Sequence, residues 1–574
     1  MVAVLLIFGG CGSNSSNTVT SKNSGNSTKN QELQTQNADY DAENQKSQTK
    51  SEAETVMSTL QNTYNSSKTE NIIKLFSVSI AGKYGYINDK GKIIIKPQFD
   101  YAASFKEGFA KVEIDNKYGY INEKGKIVIK PQYSDAYDFS EGLAAVKLNN
   151  KMVYIDKNGK EVIDEGVTSP YGFSDGLAPV KHGEMIGFMN TKGKVVIPAV
   201  YKQVSDFSEG LAAVLVDQKY GFIDKSGKMI IKPQFDYAQD FKEELSSVLI
   251  NSKCGYINKE GKIVIKPVFD TADSFSEDMA AVCVADKFGY IDKKGNILIK
   301  PKYKAAQDFK EGLAWVNSED TNGYIDKTGA VVIKLQKPGT IYPQSFSGGA
   351  AYISDEVKNY YLNKDGSILW EEPSDIEIFK NVNLCKNIIR KNSGSEIIAY
   401  PEFKGMGDKS VQNKLNSFLN NKFGIEYNCE SDETLNISYK LQYAENGIVN
   451  IIEQGYSYYK GAAHGNSTRN SIIMNVKTGE TYTLENLFKK DTDYISYISD
   501  KINEQIKKSD IVFIEKFTHI DKDEQFYLTS DGIVVFFPPY KYTPYAAGFV
   551  EFKITYEELK DMIGEESPLN QIKN

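Results

Sequence analysis

A motif that returns every 34 residues fills the middle of this chain of 574 residues, and it constrains the fold more than any other feature. The motif joins an aromatic residue to a glycine, as in Tyr84-Gly85 and Tyr118-Gly119, and a phenylalanine such as Phe105 keeps the same period. A unit of this length buries too little apolar surface to fold alone, so its neighbours must cover it. The period therefore predicts a stack of eight similar units, in which each contacts only the next.

Each unit is expected to contain three short strands, at 84–87, 92–96 and 109–114 in the first copy. Gly91 lies in the hairpin turn between the first two strands, where a positive φ is needed. Pro97 lacks an N–H group and is expected to end the second strand. The phenylalanines are expected to form a ladder in which each one contacts its counterpart in the next repeat. A ninth, shifted copy at 360–370 is expected to cap the stack.

Two shapes are compatible with this pattern. Propeller blades usually contain four strands in 40 or more residues, so a period of 34 favours an open, solenoid-like array and leaves a closed propeller as the alternative. The predicted fold class is a mainly β repeat array followed by an α+β domain. The repeats are expected to occupy residues 71–372.

The aromatic-glycine pair, the hairpin and the following Pro-x-Tyr/Phe segment resemble the bacterial WG-repeat family, although Tyr, Phe, Cys, Ile or Met stands where that family has Trp. The resemblance covers residues from about 80 to 370. It implies a β repeat fold but no particular ligand, because the family has no single known activity.

The first eleven residues form an apolar run that ends at Cys11. This run is too short to span a bilayer. It resembles a bacterial lipobox, which implies a signal segment at 1–11 with Cys11 as the lipid anchor. Residues 12–70 are rich in Ser, Asn, Thr and Gln and are predicted to be a disordered linker, although a short buried strand at the start of the chain is the alternative.

The net charge of −8, from 68 basic and 76 acidic residues, excludes the basic footprint that nucleic-acid binding requires.

The expected localisation is extracellular, with the protein anchored to the membrane through its lipid at the envelope of a Gram-positive bacterium.

After Trp370 the period stops, and residues 373–574 are expected to form an α+β domain. Apolar spacing predicts a helix around Leu415, capped by Asp408 or Ser410, and a second helix around Ile498. Strands are predicted at 435–443, 448–459, 526–529 and 533–537.

Two segments of this domain, 455–488 and 526–563, resemble the extracellular module shared by RsiV-type anti-sigma factors and PdaC-type peptidoglycan deacetylases. The carrying motifs are Gly-Ala-Ala-His-Gly at 461–465 and Pro-Tyr-Ala-Ala-Gly at 544–548. The first departs from the family pattern at Ala462, where a second glycine is usual. The resemblance implies the fold, and lysozyme binding belongs to only some members.

His464 is the residue that most invites a catalytic role, and it lies close in sequence to Tyr456, Tyr458 and Tyr459. No metal-binding histidine spacing, serine nucleophile elbow or phosphate loop accompanies it. We therefore predict no catalytic residue, no metal and no cofactor. These four residues and Tyr545 are the candidate ligand-binding set, since exposed rings suit sugars or peptides. A disulfide between Cys385 and Cys429 stays open.

The function expected from the sequence is non-catalytic binding at the cell envelope, to peptidoglycan or to a secreted or wall-associated protein. A lysozyme-binding sensor or inhibitor is the first alternative. A cell-wall hydrolase with an unrecognised site is the second.

Overall fold

The computed structural model describes residues 74–164, 172–335, 342–354, 358–391, 395–424, 432–509, 511–565 and 567–572. Every described residue belongs to one compact unit, Ile73–Asn574. Cys11, Cys429 and the predicted signal segment and linker lie outside the described residues. None of the helices in the described ranges combines the length and the apolar character that crossing a membrane requires.

The repeats form nine antiparallel sheets of three or four strands, here called blades one to nine. Each blade is built from one continuous segment of the chain, and its strands follow one another in chain order across the sheet. The strands of blades one to nine are, in turn, Leu75–Ile80, Lys83–Asn88 and Ile93–Phe99; Tyr101–Ala102, Phe109–Ile114, Lys117–Asn122 and Ile127–Tyr133; Asp135–Ala136, Leu143–Leu148, Lys151–Asp156 and Glu161–Ile163; Leu177–His182, Met185–Asn190 and Val195–Tyr201; Leu211–Val216, Lys219–Asp224 and Met229–Phe235; Tyr237–Ala238, Ser246–Ile250, Lys253–Ile257 and Ile263–Phe269; Thr271–Ala272, Met279–Val284, Lys287–Asp292 and Ile297–Tyr303; Ala305–Ala306, Leu313–Asn317, Asn322–Asp326 and Val331–Lys334; Tyr342–Pro343, Ala350–Ser354, Asn359–Asn363 and Ile368–Glu371.

In blades one, two, four, five, six and seven, the last strand bulges opposite the second residue of the aromatic-glycine pair. In blade one, Tyr84 pairs with Phe99 and Tyr86 pairs with Ile95. Three residues of the last strand, 96–98, therefore lie opposite the single residue Gly85. Pro97 lies inside this bulge, and the strand Ile93–Phe99 continues through it. The prediction that Pro97 ends the strand is therefore wrong. A proline is tolerated there because the strand is at the edge of its sheet and has no ladder partner on one side.

The bulge explains why the motif requires glycine. A Cβ atom on Gly221 would lie 2.5 Å from the carbonyl oxygen of Ile231 and 2.8 Å from the nitrogen of Pro233, distances that backbone atoms cannot relieve without moving. Only a residue without a side chain lets the two strands approach this closely. The same clash would arise at Gly85, Gly119, Gly187, Gly255 and Gly289.

Replacing Gly221 by Ala is expected to destabilise the protein by at least about 2 kcal/mol, because the added methyl group overpacks against fixed backbone. Chemical denaturation followed by circular dichroism measures the change. Gly407→Ala is the matched control, since no atom lies within 4 Å of a Cβ at that position. Equal stabilities of the two variants would contradict this explanation of the motif.

Consecutive blades pack face to face through separate apolar clusters, and the phenylalanines contribute to each of them. Each phenylalanine contacts the aromatic residue that follows the motif glycine of the preceding blade. Tyr120 and Phe139 have ring centroids 4.9 Å apart, and those of Phe188 and Phe207 are 4.7 Å apart. The predicted ladder of phenylalanine on phenylalanine is therefore wrong. The tyrosine or phenylalanine that follows the motif glycine is fully buried, and it contacts each ladder phenylalanine in place of the phenylalanine of the neighbouring repeat.

The array closes on itself. A ninth apolar cluster joins blade nine to blade one and contains Val78, Ile87, Tyr361 and Trp370. The Tyr361 hydroxyl donates a hydrogen bond of 2.9 Å to the Ser77 carbonyl. The prediction of a mainly β repeat array followed by an α+β domain is confirmed, and of the two shapes left open the contacts select the closed, propeller-like ring over the solenoid-like array. Blade nine joins blades eight and one instead of capping an open end.

In blades two to eight, a carboxylate lies in the turn before the first of the longer strands. This side chain connects each blade to the next. The side chain of Glu243 accepts hydrogen bonds from the backbone N–H groups of Glu277 and Asp278, at 2.6 and 3.0 Å, and forms an ion pair with Lys293. These bonds satisfy turn donors that face a neighbouring sheet. The residues in this position are Glu107, Glu141, Asp175, Glu209, Glu243, Glu277 and Glu311.

The C-terminal domain contains a seven-stranded and a three-stranded sheet, and the predicted helices are present. Asp408 caps the first of them by accepting hydrogen bonds from two backbone N–H groups. The hairpin formed by the strands Glu433–Glu445 and Ile448–Tyr459 turns at Asn446-Gly447, where both residues have positive φ. The strands are Asp375–Phe379, Val382–Lys391, Glu396–Lys404, Glu433–Glu445, Ile448–Tyr459, Asn466–Asn475, Thr481–Tyr482, Phe526–Leu528, Gly532–Phe537 and Val550–Thr555; the helices are Lys409–Lys422, Tyr494–Ile506, Tyr556–Leu559 and Leu569–Ile572, with 3-10 turns at Leu484–Leu487 and Tyr545–Ala547.

This domain docks on the hairpin turns of blades one and two. The backbone N–H of Leu441 donates to the carbonyl of Ala81, and the Lys440 ammonium lies 3.1 Å from Asp100. Burial acts to raise the pKa of Asp100, but Lys440 and Lys83 outweigh it and hold that pKa below its usual value. Ring and domain therefore form one body. Further contacts join Asp115 to Lys553 and Ser530, and Asn116 to Tyr527 and Glu551.

Candidate functional site

Two loops of the C-terminal domain meet at the predicted site. The loop at 460–465 follows the long strand Ile448–Tyr459, and the loop at 538–549 follows Gly532–Phe537. Tyr458 donates a hydrogen bond to the carbonyl of Ala462 and holds the first loop in a tight turn. The second loop is attached to the first because the Tyr545 hydroxyl donates to the Gly465 carbonyl at 3.0 Å.

Glycine 465 is covered by an aromatic ring. A Cβ atom on Gly465 would lie 2.2 Å from Cζ of Tyr456, so the tyrosine ring rests directly on the glycine backbone. Gly465 itself is buried, while Tyr456 keeps 44% of its surface exposed. The glycine of the Gly-Ala-Ala-His-Gly motif thus makes room for a ring that stays accessible to a ligand.

His464 is stacked on the second loop. Its imidazole lies 4.1 Å from the ring of Tyr545 at an angle of 20° and 6.3 Å from the ring of Tyr540. Nδ1 is 2.9 Å from the Gly465 carbonyl, which can only accept, so Nδ1 donates. Nε2 is 3.1 Å from the Tyr540 hydroxyl, which can donate or accept. Both ring nitrogens have partners within the protein.

Tyr540 belongs to this site as well, although it is not among the residues predicted from the sequence. It is 55% exposed and has a positive φ of 69°. A feature of the sequence points to Tyr540, since it lies five residues before the predicted Tyr545 in a segment rich in Pro and Tyr. We call Tyr456, His464, Tyr540 and Tyr545 the aromatic shelf.

Charged contacts fix the base of the second loop. The Lys541 ammonium lies 2.8 Å from Glu524 and 3.1 Å from Asp521. Burial acts to lower the pKa of Lys541, but the hydrogen bonds to Glu524 and Asp521 prevail and raise it. The ammonium therefore stays paired with these carboxylates. The Thr543 hydroxyl in the same loop is buried and has no hydrogen-bond partner among the described residues.

The structure brings together part of the predicted set. His464 and Tyr545 are in direct contact, and Tyr456 covers the glycine that follows His464. Tyr458 and Tyr459 support the first loop, because the Tyr459 carbonyl accepts a hydrogen bond from the Ala462 N–H. Tyr459 is also 47% exposed at the margin of the shelf.

The remaining candidate chemistry is limited to a few groups. Within the described ranges, no three His, Cys, Asp or Glu side chains converge into a group that would hold a metal ion. Cys385 is a buried free thiol, and its possible partner Cys429 lies outside those ranges. Cys254 and Cys283 are free thiols as well.

Two family models match parts of the chain. The WG containing repeat matches seven times, at residues 84–118, 118–151, 154–184, 186–220, 220–254, 255–288 and 288–321. DUF3298, a protein family of unknown function, matches residues 485–557. No curated protein is significantly similar to the chain.

Several solved structures are similar to part of the chain. A DUF3298 family member from Bacteroides fragilis is 17% identical and covers 33% of this chain and 95% of its own, with a TM-score of 0.27. A DUF3298 family protein from Pseudomonas aeruginosa is 13% identical over 32% of this chain and 93% of its own, with a TM-score of 0.25. AztD from Citrobacter koseri is 11% identical over 52% and 93%, with a TM-score of 0.29. The chain thus carries WG-containing repeats followed by a C-terminal DUF3298 domain.

Proposed function

We propose that this protein is a non-catalytic binding protein of the bacterial cell envelope, and that its aromatic shelf recognises peptidoglycan or a protein associated with the wall. The observation that carries the proposal is the stack of His464 on Tyr545 and Tyr540, which presents accessible rings on a fixed base. Aromatic faces pack against the C–H faces of sugars and against peptide side chains, and tyrosine hydroxyls add hydrogen bonds.

A binding role suits the contacts of His464 better than catalysis does. A general base needs a free nitrogen within reach of the proton that it removes. The two nitrogens of His464 are engaged by the Gly465 carbonyl and the Tyr540 hydroxyl. Its ring is then best used as a flat stacking surface.

The cell envelope is proposed from the sequence. Cys11 at the end of an apolar run and the resemblance to RsiV-type and PdaC-type modules support an extracellular, lipid-anchored protein of a Gram-positive bacterium. WG repeats and a DUF3298 domain are consistent with this place. The proposed partners are peptidoglycan or a secreted or wall protein, together with the membrane through the anchor.

Replacing Tyr540 and Tyr545 by Ala is expected to weaken binding to purified peptidoglycan about tenfold, because two stacking surfaces are lost at the centre of the site. Co-sedimentation of the full chain with insoluble peptidoglycan measures the change. Tyr237→Ala is the matched control, since Tyr237 is an equally exposed tyrosine on blade six, 51% exposed against 55% for Tyr540.

The same variants separate the alternatives. Loss of binding to immobilised lysozyme, with peptidoglycan binding unchanged, would move the assignment to a lysozyme sensor or inhibitor. Release of soluble muropeptides by the wild-type protein, abolished by His464→Ala, would contradict the non-catalytic proposal.

A further inference from the structure

The outer edges of blades six and seven carry a surface that the aromatic shelf does not use. Each edge is the last strand of its sheet, Ile263–Phe269 in blade six and Ile297–Tyr303 in blade seven. The two edges adjoin at one end, because a Cβ atom on Gly295, two residues before the second strand, would lie 3.1 Å from the side chain of Ile265 in the first. We call these two strands the basic rim.

Aliphatic side chains on the basic rim are open to solvent. The exposed fractions are 46% for Ile263, 44% for Val264, 56% for Val268, 54% for Ile297 and 50% for Leu298. Single exposed aliphatic residues are ordinary on protein surfaces. Five on two neighbouring strands form a patch, and patches of this kind mark interaction sites.

Lysines surround this patch, and no acidic residue interrupts it. Lys266, Lys300 and Lys302 lie within the two strands, and Lys262 directly precedes the first. All four are exposed, and none forms an ion pair with a carboxylate among the described residues. Both strands therefore present positive charge next to apolar surface, in a chain whose net charge is negative.

The edges are unsuited to pairing with another strand. Pro267 and Pro301 lie within them, and each removes a backbone donor. Proline and lysine on an edge strand are the usual means of preventing strand addition. The exposed aliphatic groups would gain nothing from a hydrophilic polyanion, but they would lose their water at the boundary between lipid headgroups and acyl chains.

We infer that the basic rim is a docking surface for an anionic membrane, in which the lysines contact phosphate headgroups and the aliphatic side chains enter the interface. The inference goes beyond the proposed function, because it concerns a different surface and a different ligand. It also requires no lipid on Cys11. Apolar burial and electrostatic attraction act together in such contacts, and lysines near an anionic bilayer contribute additively.

The test is flotation of the full chain carrying Cys11→Ser with vesicles of phosphatidylcholine containing phosphatidylglycerol. Pure phosphatidylcholine vesicles give the baseline contributed by the rest of the chain. Binding above this baseline is expected to disappear at high salt, because exposed charges are screened. Replacing the four lysines by Gln is expected to reduce it at least about tenfold. Replacing Ile263, Val264, Ile297 and Leu298 by Ser is expected to reduce it by a similar factor.

Two controls match these variants. Lys490, Lys507, Lys508 and Lys516 changed to Gln alter the net charge equally on the C-terminal domain. Val162→Ser with Ile368→Ser removes exposed aliphatic groups from edges that carry Glu161, Asp164 or Glu371. Equal flotation of the rim variants and their controls would overturn the inference. A second result would also overturn it: the rim variant with four Ser substitutions binds vesicles like wild type, and soluble polyphosphate abolishes the binding. The rim would then be a site for polyanions and not for a membrane.

Discussion

Replacing Trp370 by Ala is expected to open the ring between blade nine and blade one. Trp370 is 8% exposed in the cluster that joins the two blades, and removing a large buried side chain leaves a cavity that costs about 3–5 kcal/mol. In each of the remaining pairs of neighbouring blades, the polypeptide chain runs directly from one blade into the next. Blades nine and one are held by side-chain contacts, by the hydrogen bond from Tyr361 to Ser77, and through the C-terminal domain, which follows blade nine and contacts blades one and two.

Small-angle scattering and chemical denaturation measure the two parts of this prediction. Trp370→Ala is expected to enlarge the radius of gyration under conditions in which the sheets remain folded. Ile265→Ala is the matched control, because Ile265 occupies the same strand position between blades six and seven. It is expected to lower stability by about 2–5 kcal/mol without opening the ring. A compact Trp370→Ala variant would show that the seam does not depend on this side chain.

Asp273→Asn is expected to stabilise the protein at neutral pH by about 1–3 kcal/mol. Burial and the nearby Asp308 carboxylate raise the pKa of Asp273 to about 6. The folded protein therefore holds this proton more tightly than the unfolded chain. The stabilising contribution of the protonated form is complete below pH 4 and is lost as the pH rises through 6.

Thermal unfolding between pH 4 and 8 tests this. Wild type is expected to lose stability across pH 4 to 6 relative to Asp273→Asn, so the difference between the two curves grows with pH and levels off above 6. Asp89→Asn, in an exposed hairpin turn, controls for the substitution itself. A constant difference between the Asp273→Asn and wild-type curves would contradict the raised pKa.

The hairpins and the apolar strand positions followed directly from the sequence, because alternation and glycine spacing are local. The closure of the ring did not, since it depends on where Trp370 and Tyr361 meet blade one, almost 300 residues away in the chain. The prediction for Pro97 is wrong for a related reason. Its effect on the strand depends on whether the strand lies at an edge, and a single repeat does not reveal that.

At the candidate site, the resemblance to known modules placed His464 and Tyr545 in separate segments, and the structure stacks them. The stack also includes Tyr540, whose orientation depends on a positive φ that no spacing rule predicts. The two motifs are recognisable in the sequence, and the contact between them depends on the fold.

Every blade is one uninterrupted stretch of chain, so no blade has to wait for a strand from the other end of the chain before its sheet is complete. A nascent chain that emerges N-terminus first can complete its sheets one after another, each resting on the one before it. The final association waits until Trp370 has emerged, and until then the apolar face of blade one lacks its cover. Chaperone dependence and misassembly should therefore concentrate on that late interval.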